Sequence, residues 1–125
     1  TSARNNCLFC VVAHGAILRV LTQNPRIADQ VVANPNHAEL DDRQRAILTF
    51  AFRIQDDANG LTDEDFDAFK AHGFDDEDAW DVGAVVAFFG LSNRMAGFGA
   101  LRPNEEFYLM GRVPREMMGQ LLGGQ

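Results

Sequence analysis

Cations and long hydrophobic runs are the scarce features of this 125-residue sequence, and each shortage excludes a class of partner. Lysine and arginine number 11 against 18 aspartates and glutamates, for a net charge of −7. A chain so short of cations cannot neutralise a nucleic-acid backbone, and it is equally unsuited to an anionic membrane surface. The longest apolar stretch, VGAVVAFFGL from Val82 to Leu91, is about half of the ~20 residues needed to cross a bilayer. Segments dominated by Ser, Pro or Gln are missing, as are internal repeats, so no linker divides the chain. One Trp and one Tyr against ten Phe mean dry aromatic packing. The opening residues do not read as a charged-then-apolar leader, and a cytoplasmic location is expected. Because the chain opens on Thr1 rather than Met, in TSARNNC, part of its natural N-terminus is expected to be missing.

What is present has the composition of a folded protein, 46% hydrophobic and 23% charged, at a length that suits one domain with a real core. A single domain over residues 1–125 is expected. Period-2 alternation is nearly absent, whereas apolar residues recur at helical spacing, so the fold class is all-α. The first helix is expected to start after Asn5 and Asn6, with Asn6 as its cap, and to run through Leu21. Pro25 restarts a short helix toward Val32. Asp41 to Asp57 places Ile47, Phe50, Ala51 and Ile54 on one stripe and stops at Asn59-Gly60. In LTDEDFDAFKAHG, Thr62 and Asp65 form a capping pair, Leu61 and Phe66 a hydrophobic staple, and Gly73 a left-handed stop. A long helix from Asp76 to Ala96 is apolar on every side in its middle, which requires a central position or a subunit interface. A last helix begins near Asn104, and the tail MMGQLLGGQ is expected to be loosely held.

The two cysteines stand three residues apart in NNCLFCVVAHGAILR, residues 5–19. On a helix, Cys7, Cys10 and His14 fall within roughly 60° of one another. At a helix start, unpaired N–H groups and the positive end of the dipole favour a thiolate. His14, one turn past Cys10, is placed to take its proton, and a second thiol can resolve an oxidised first one. Two other readings stay open: cysteines as ordinary core on a stripe continued by Leu18 and Leu21, and a zinc site, which lacks an evident fourth ligand. Covalent haem needs His directly after the second Cys, where Val11 stands. A thioredoxin-type βαβ pattern around the C-x-x-C is missing.

Cys7-Leu-Phe-Cys10 followed by Val-Val-Ala-His14-Gly resembles the C-x-x-C-x-x-x-H signature of the AhpD-like alkylhydroperoxidases, within the carboxymuconolactone decarboxylase superfamily. Residues 78–112, DAWDVGAVVAFFGLSNRMAGFGALRPNEEFYLMGR, are similar to the C-terminal half of its uncharacterised peroxidase-related branch. The resemblance implies an all-α AhpD-like fold of packed helical hairpins, a homo-oligomer, no cofactor and no metal. It also implies that Cys10 is attacked by the hydroperoxide, that Cys7 closes the disulfide and that His14 belongs to the proton relay. A glutamate about a dozen residues before the first cysteine usually completes that relay, and the chain begins too late to contain it. The pair between the cysteines, often Pro-Tyr, is Leu8-Phe9 here.

Other features are read as structure. The acids at Asp41-Asp42, Asp56-Asp57, Asp63-Glu64-Asp65 and Asp75-Asp76-Glu77-Asp78 lie at helix ends and lack the calcium-loop pattern. His72 suits a helix C-terminus and His37 a loop. Arg94, beside an apolar run, calls for an anionic partner or an interface. Phe50, Phe52, Phe88 and Phe89 are expected in the core or an oligomer contact, and GFGAL is not a phosphate loop. The expected activity is thiol-dependent reduction of hydroperoxides, recycled by a lipoyl or thioredoxin-like protein. Its competitors are a disulfide-exchange or redox-sensing module and a helical interaction protein with structural cysteines. Decarboxylase chemistry would leave the cysteine pair without a task.

Overall fold

The computed structural model describes residues 1–123, which form helices and turns without a strand. The helices are α1 (Leu8–Thr22), α2 (Ile27–Ala33), α3 (Asp42–Asp57), α4 (Asp63–Lys70), α5 (Asp76–Phe98), α6 (Glu105–Leu109) and α7 (Arg115–Leu122). Contacts gather them into two compact units, residues 40–92 and residues 2–39 with the chain from Asn93 onward.

In the first unit the acids at helix starts satisfy first-turn N–H groups that the helix itself leaves unpaired. Asp41 accepts from the Gln44 N–H at 2.7 Å, and the Gln44 side chain accepts from the Asp41 N–H at 3.0 Å. Asp75 and Asp78 make the same reciprocal pair at the start of α5, both bonds at 2.9 Å. At α4 the expected pair is present: the Thr62 N–H donates to Asp65 at 3.0 Å, and the Thr62 hydroxyl spends its hydrogen on the same carboxylate. Arg53 grips that carboxylate with two bonds, Nε to Oδ1 at 2.9 Å and a second nitrogen to Oδ2 at 3.1 Å. This grip holds the Asp65 carboxyl well below the usual carboxylate range, and the Thr62 N–H adds to it. The core is aromatic. Phe69 stacks between Phe50 and Phe74, at 4.6 and 4.4 Å between ring centroids, with Ala79 and Val82 of α5 beside them. The staple residues Leu61 and Phe66 pack on this cluster, and Gly73 takes the expected left-handed conformation, φ 81°.

In the second unit α1 packs on α2 and α6. Gly15 lets α2 approach: a Cβ there would stand 3.3 Å from that of Ala28. Arg19, buried, donates Nε to the Met110 carbonyl at 2.9 Å and a terminal nitrogen to the Phe107 carbonyl at 2.7 Å. A cation thus closes the carboxyl end of α6, where unpaired carbonyls and the negative end of the dipole welcome it. Burial pulls the Arg19 pKa down, Arg112 adds to the effect and Asp29 opposes it. Arg112 itself makes a two-pronged pair with Asp29 of α2, both bonds at 2.7 Å. Gly111, at φ 73°, lies so close to α1 that a Cβ would come within 2.6 Å of the Arg19 Cβ.

Several expectations are corrected. Asn6 is not the cap of α1; it turns left-handed at φ 51°, and Cys7 occupies the cap position. Leu21 is 77% exposed, so the α1 stripe does not extend into the core that far. Among the described residues the buried arginine is Arg19, a position for which the sequence offers no signal. The helix expected near Asn104 is α6 and is not the last: α7 follows Pro114, whose fixed φ suits a helix entrance; Gly124 and Gln125, at the end of the expected tail, lie outside the described residues.

Two consequences can be measured. Gly111→Ala combines backbone strain with the clash at Arg19 and is expected to cost about 1–3 kcal/mol in urea denaturation. Asp65→Asn is expected to lower Tm by several degrees at neutral pH. The Asp65 pKa is depressed in the folded state, so its contribution is complete above the unfolded aspartate value of about 3.9 and drains away as pH falls through the folded value. The Tm gap between parent and variant should therefore narrow below about pH 4; a gap that is constant down to pH 2 would contradict the assignment.

Candidate functional site

The cysteines meet where α1 begins. Cys7 has extended backbone angles, φ −83° and ψ 98°, and its Sγ accepts the Cys10 N–H at 3.3 Å. This is an N-cap made by sulfur, in the place where Ser or Asp commonly supplies oxygen. The first turn of α1 contains no acid, whereas every other α-helix among the described residues has at least one there. The positive end of the α1 dipole therefore meets no carboxylate in the first turn, and the Cys7 sulfur stands at the cap.

Both cysteines are thiols and both are buried, Cys7 at 4% and Cys10 at 2% exposure. Ala96 of α5 completes their cluster, and Phe9 packs against it. Cys7 and Cys10 lie together at the start of α1, and His14 follows one turn after Cys10 in an exposed position. Among the described residues no three His, Cys, Asp or Glu side chains gather as a possible metal site. His37 and His72 are exposed and belong to other parts of the chain.

The segment that enters the site is held by a residue that sequence reasoning passed over. Asn93 of α5 is buried; its Oδ1 accepts from the Asn5 amide at 2.9 Å, and its Nδ2 donates to the Ser2 hydroxyl at 2.9 Å. The available signal was an amide inside an apolar run, in GLSNRMAGF, where Arg94 drew attention instead. Ala96, three residues on, shares that face of α5.

This helical chain, with its cysteine pair at a helix start, is similar to solved structures. Over 91% of its length it is similar to an alkylhydroperoxidase AhpD core, an uncharacterized peroxidase-related protein from Ralstonia eutropha JMP134, with 55% identity and a TM-score of 0.88. A second solved structure, an uncharacterized peroxidase-related protein from Silicibacter sp. TM1040, matches 89% of the chain at 38% identity and a TM-score of 0.85. The chain belongs to this AhpD-like, peroxidase-related family, and spans 60% and 58% of the length of those two relatives. No family model and no curated protein matches it. None of its helices among the described residues is long and apolar enough to cross a membrane.

Cys7→Ala removes both the cap acceptor and buried volume. It is expected to destabilise the fold by about 1–2 kcal/mol, measured by urea denaturation.

Proposed function

We propose that this chain is the redox core of a thiol-dependent peroxidase of the alkylhydroperoxidase type, with Cys7, Cys10 and His14 as its catalytic residues. The observation that carries the reading is the Cys10 N–H on Cys7 Sγ at the start of an acid-free helix, supported by the peroxidase-related names of its structural relatives. His14 takes the Cys10 proton, and the Cys10 thiolate attacks one oxygen of the hydroperoxide. The S–O bond forms as the O–O bond breaks, the departing alkoxide recovers the proton as an alcohol, and Cys10 becomes a sulfenic acid. The Cys7 thiolate then attacks the Cys10 sulfur and expels hydroxide, which is protonated to water. The pair has now given two electrons to the peroxide and closed a disulfide. A dithiol protein of lipoyl or thioredoxin type reopens it by exchange. The cycle requires neither cofactor nor metal.

The working form is proposed to be a homo-oligomer. Phe88, Leu91, Met95 and Phe98 leave large apolar side chains of α5 exposed, a pattern that favours association.

A second reading is favoured by one observation: both thiols lie in an apolar cluster while His14 is exposed. Under that reading the cysteines are structural, and the protein is a helical interaction module. Peroxide consumption with a dithiol reductant separates the two. Cys10→Ser is expected to reduce turnover at least a hundredfold while leaving the helical circular dichroism intact; unchanged turnover removes the peroxidase reading. Native thiols that react only at the rate of unperturbed, buried cysteine would favour the structural one.

A further inference from the structure

We propose that Asn93 is a positioning residue for the cysteine pair: by pinning the chain segment that enters α1, it keeps Cys7 Sγ on the Cys10 N–H and so sets how readily the disulfide closes. The proposal rests on the reading of Cys7 as the thiol that closes the disulfide.

Asn93 is only 4% exposed, and an amide is costly in such a place unless its donor and acceptor are both used. Here both are used on residues just before the pair, Ser2 and Asn5. Those residues are in turn tied to the cap. The Cys7 N–H donates to the Ser2 carbonyl at 3.1 Å, and the Asn6 N–H to the Ala3 carbonyl at 3.1 Å. The resulting turn drives Asn6 into its left-handed conformation and leaves Cys7 with the extended backbone that aims Sγ at the first turn. Asn6 is a residue type that tolerates such a conformation at modest cost, so the turn needs an external hold, and one side chain of α5 supplies it at both ends. Ala96, a turn further along α5, packs on the sulfurs themselves. A helix distant in sequence thus fixes both the approach to the pair and its cover.

Without the amide, the entry turn loses two of its anchors and Cys7 Sγ is no longer held against the Cys10 N–H. The sulfur is then no longer oriented for its attack on a Cys10 sulfenic acid, and disulfide closure slows. A residue that merely fills space would alter stability without changing which sulfur species accumulates.

The test uses the whole chain in four forms: parent, Asn93→Ala, Asn5→Ala and Cys7→Ser. Iodoacetamide labelling of Cys7 at pH 7, read by mass spectrometry, is expected to quicken about threefold or more in Asn93→Ala as the buried sulfur loses its hold, and in the same direction in Asn5→Ala. After one equivalent of hydroperoxide, dimedone-trapped Cys10 sulfenic acid is expected to rise several-fold over the parent, toward the level of Cys7→Ser. Parent-like labelling and trapping in a folded Asn93→Ala protein overturns the proposal. If Asn93→Ala does not fold, Asn5→Ala decides it by the same two readouts. If Cys7→Ser yields no trapped sulfenic acid, the peroxidase reading falls, while the labelling rates still judge Asn93.

Discussion

A helix begins with N–H groups that have no partner within it, and this chain answers the same requirement with two different elements. At α3, α4 and α5 a carboxylate accepts the bond or reciprocates it, so that much of the surplus acid is spent on local structure. At α1 the acceptor is a sulfur. The substitution has an electrostatic meaning. A carboxylate in that first turn would repel a thiolate, whereas its absence lets the dipole act on the cysteines alone. The same cap that starts the helix thus places a cysteine sulfur at its positive end.

Much of this could be read from the sequence. The acids at helix starts, the Thr62–Asp65 pair, the Leu61–Phe66 staple and the Gly73 stop are local signals, written within a few residues of one another, and each appears where expected. The Cys7–Cys10 pair is equally local. What sequence did not disclose depends on distance along the chain. Asn93 acts on Ser2 and Asn5 across some ninety residues, and Arg19 closes a helix of similar separation. Neither has a periodic signature. The cap position slipped by one residue because Asn is a good cap by type, and only the turn that sends it left-handed makes Cys7 the cap instead.

The long helix α5 shows how an uninformative pattern can hide several tasks. Its middle is apolar all round, which says only that it is covered somewhere. In the structure its early turns give Ala79 and Val82 to the phenylalanine cluster, and its late turns give Asn93 and Ala96 to the surroundings of the cysteines. Phe88 and Leu91, between these, are exposed.

The joints of the molecule differ in what acid does to them. Arg53 with Asp65 and Arg112 with Asp29 need an ionised carboxylate, but Arg19 binds main-chain oxygens, which have no proton to gain in any ordinary buffer. Acidification consequently erodes the molecule unevenly: the linkages made by side-chain anions dissolve first, and the fastening between the sulfur-bearing helix and its short neighbour outlasts them.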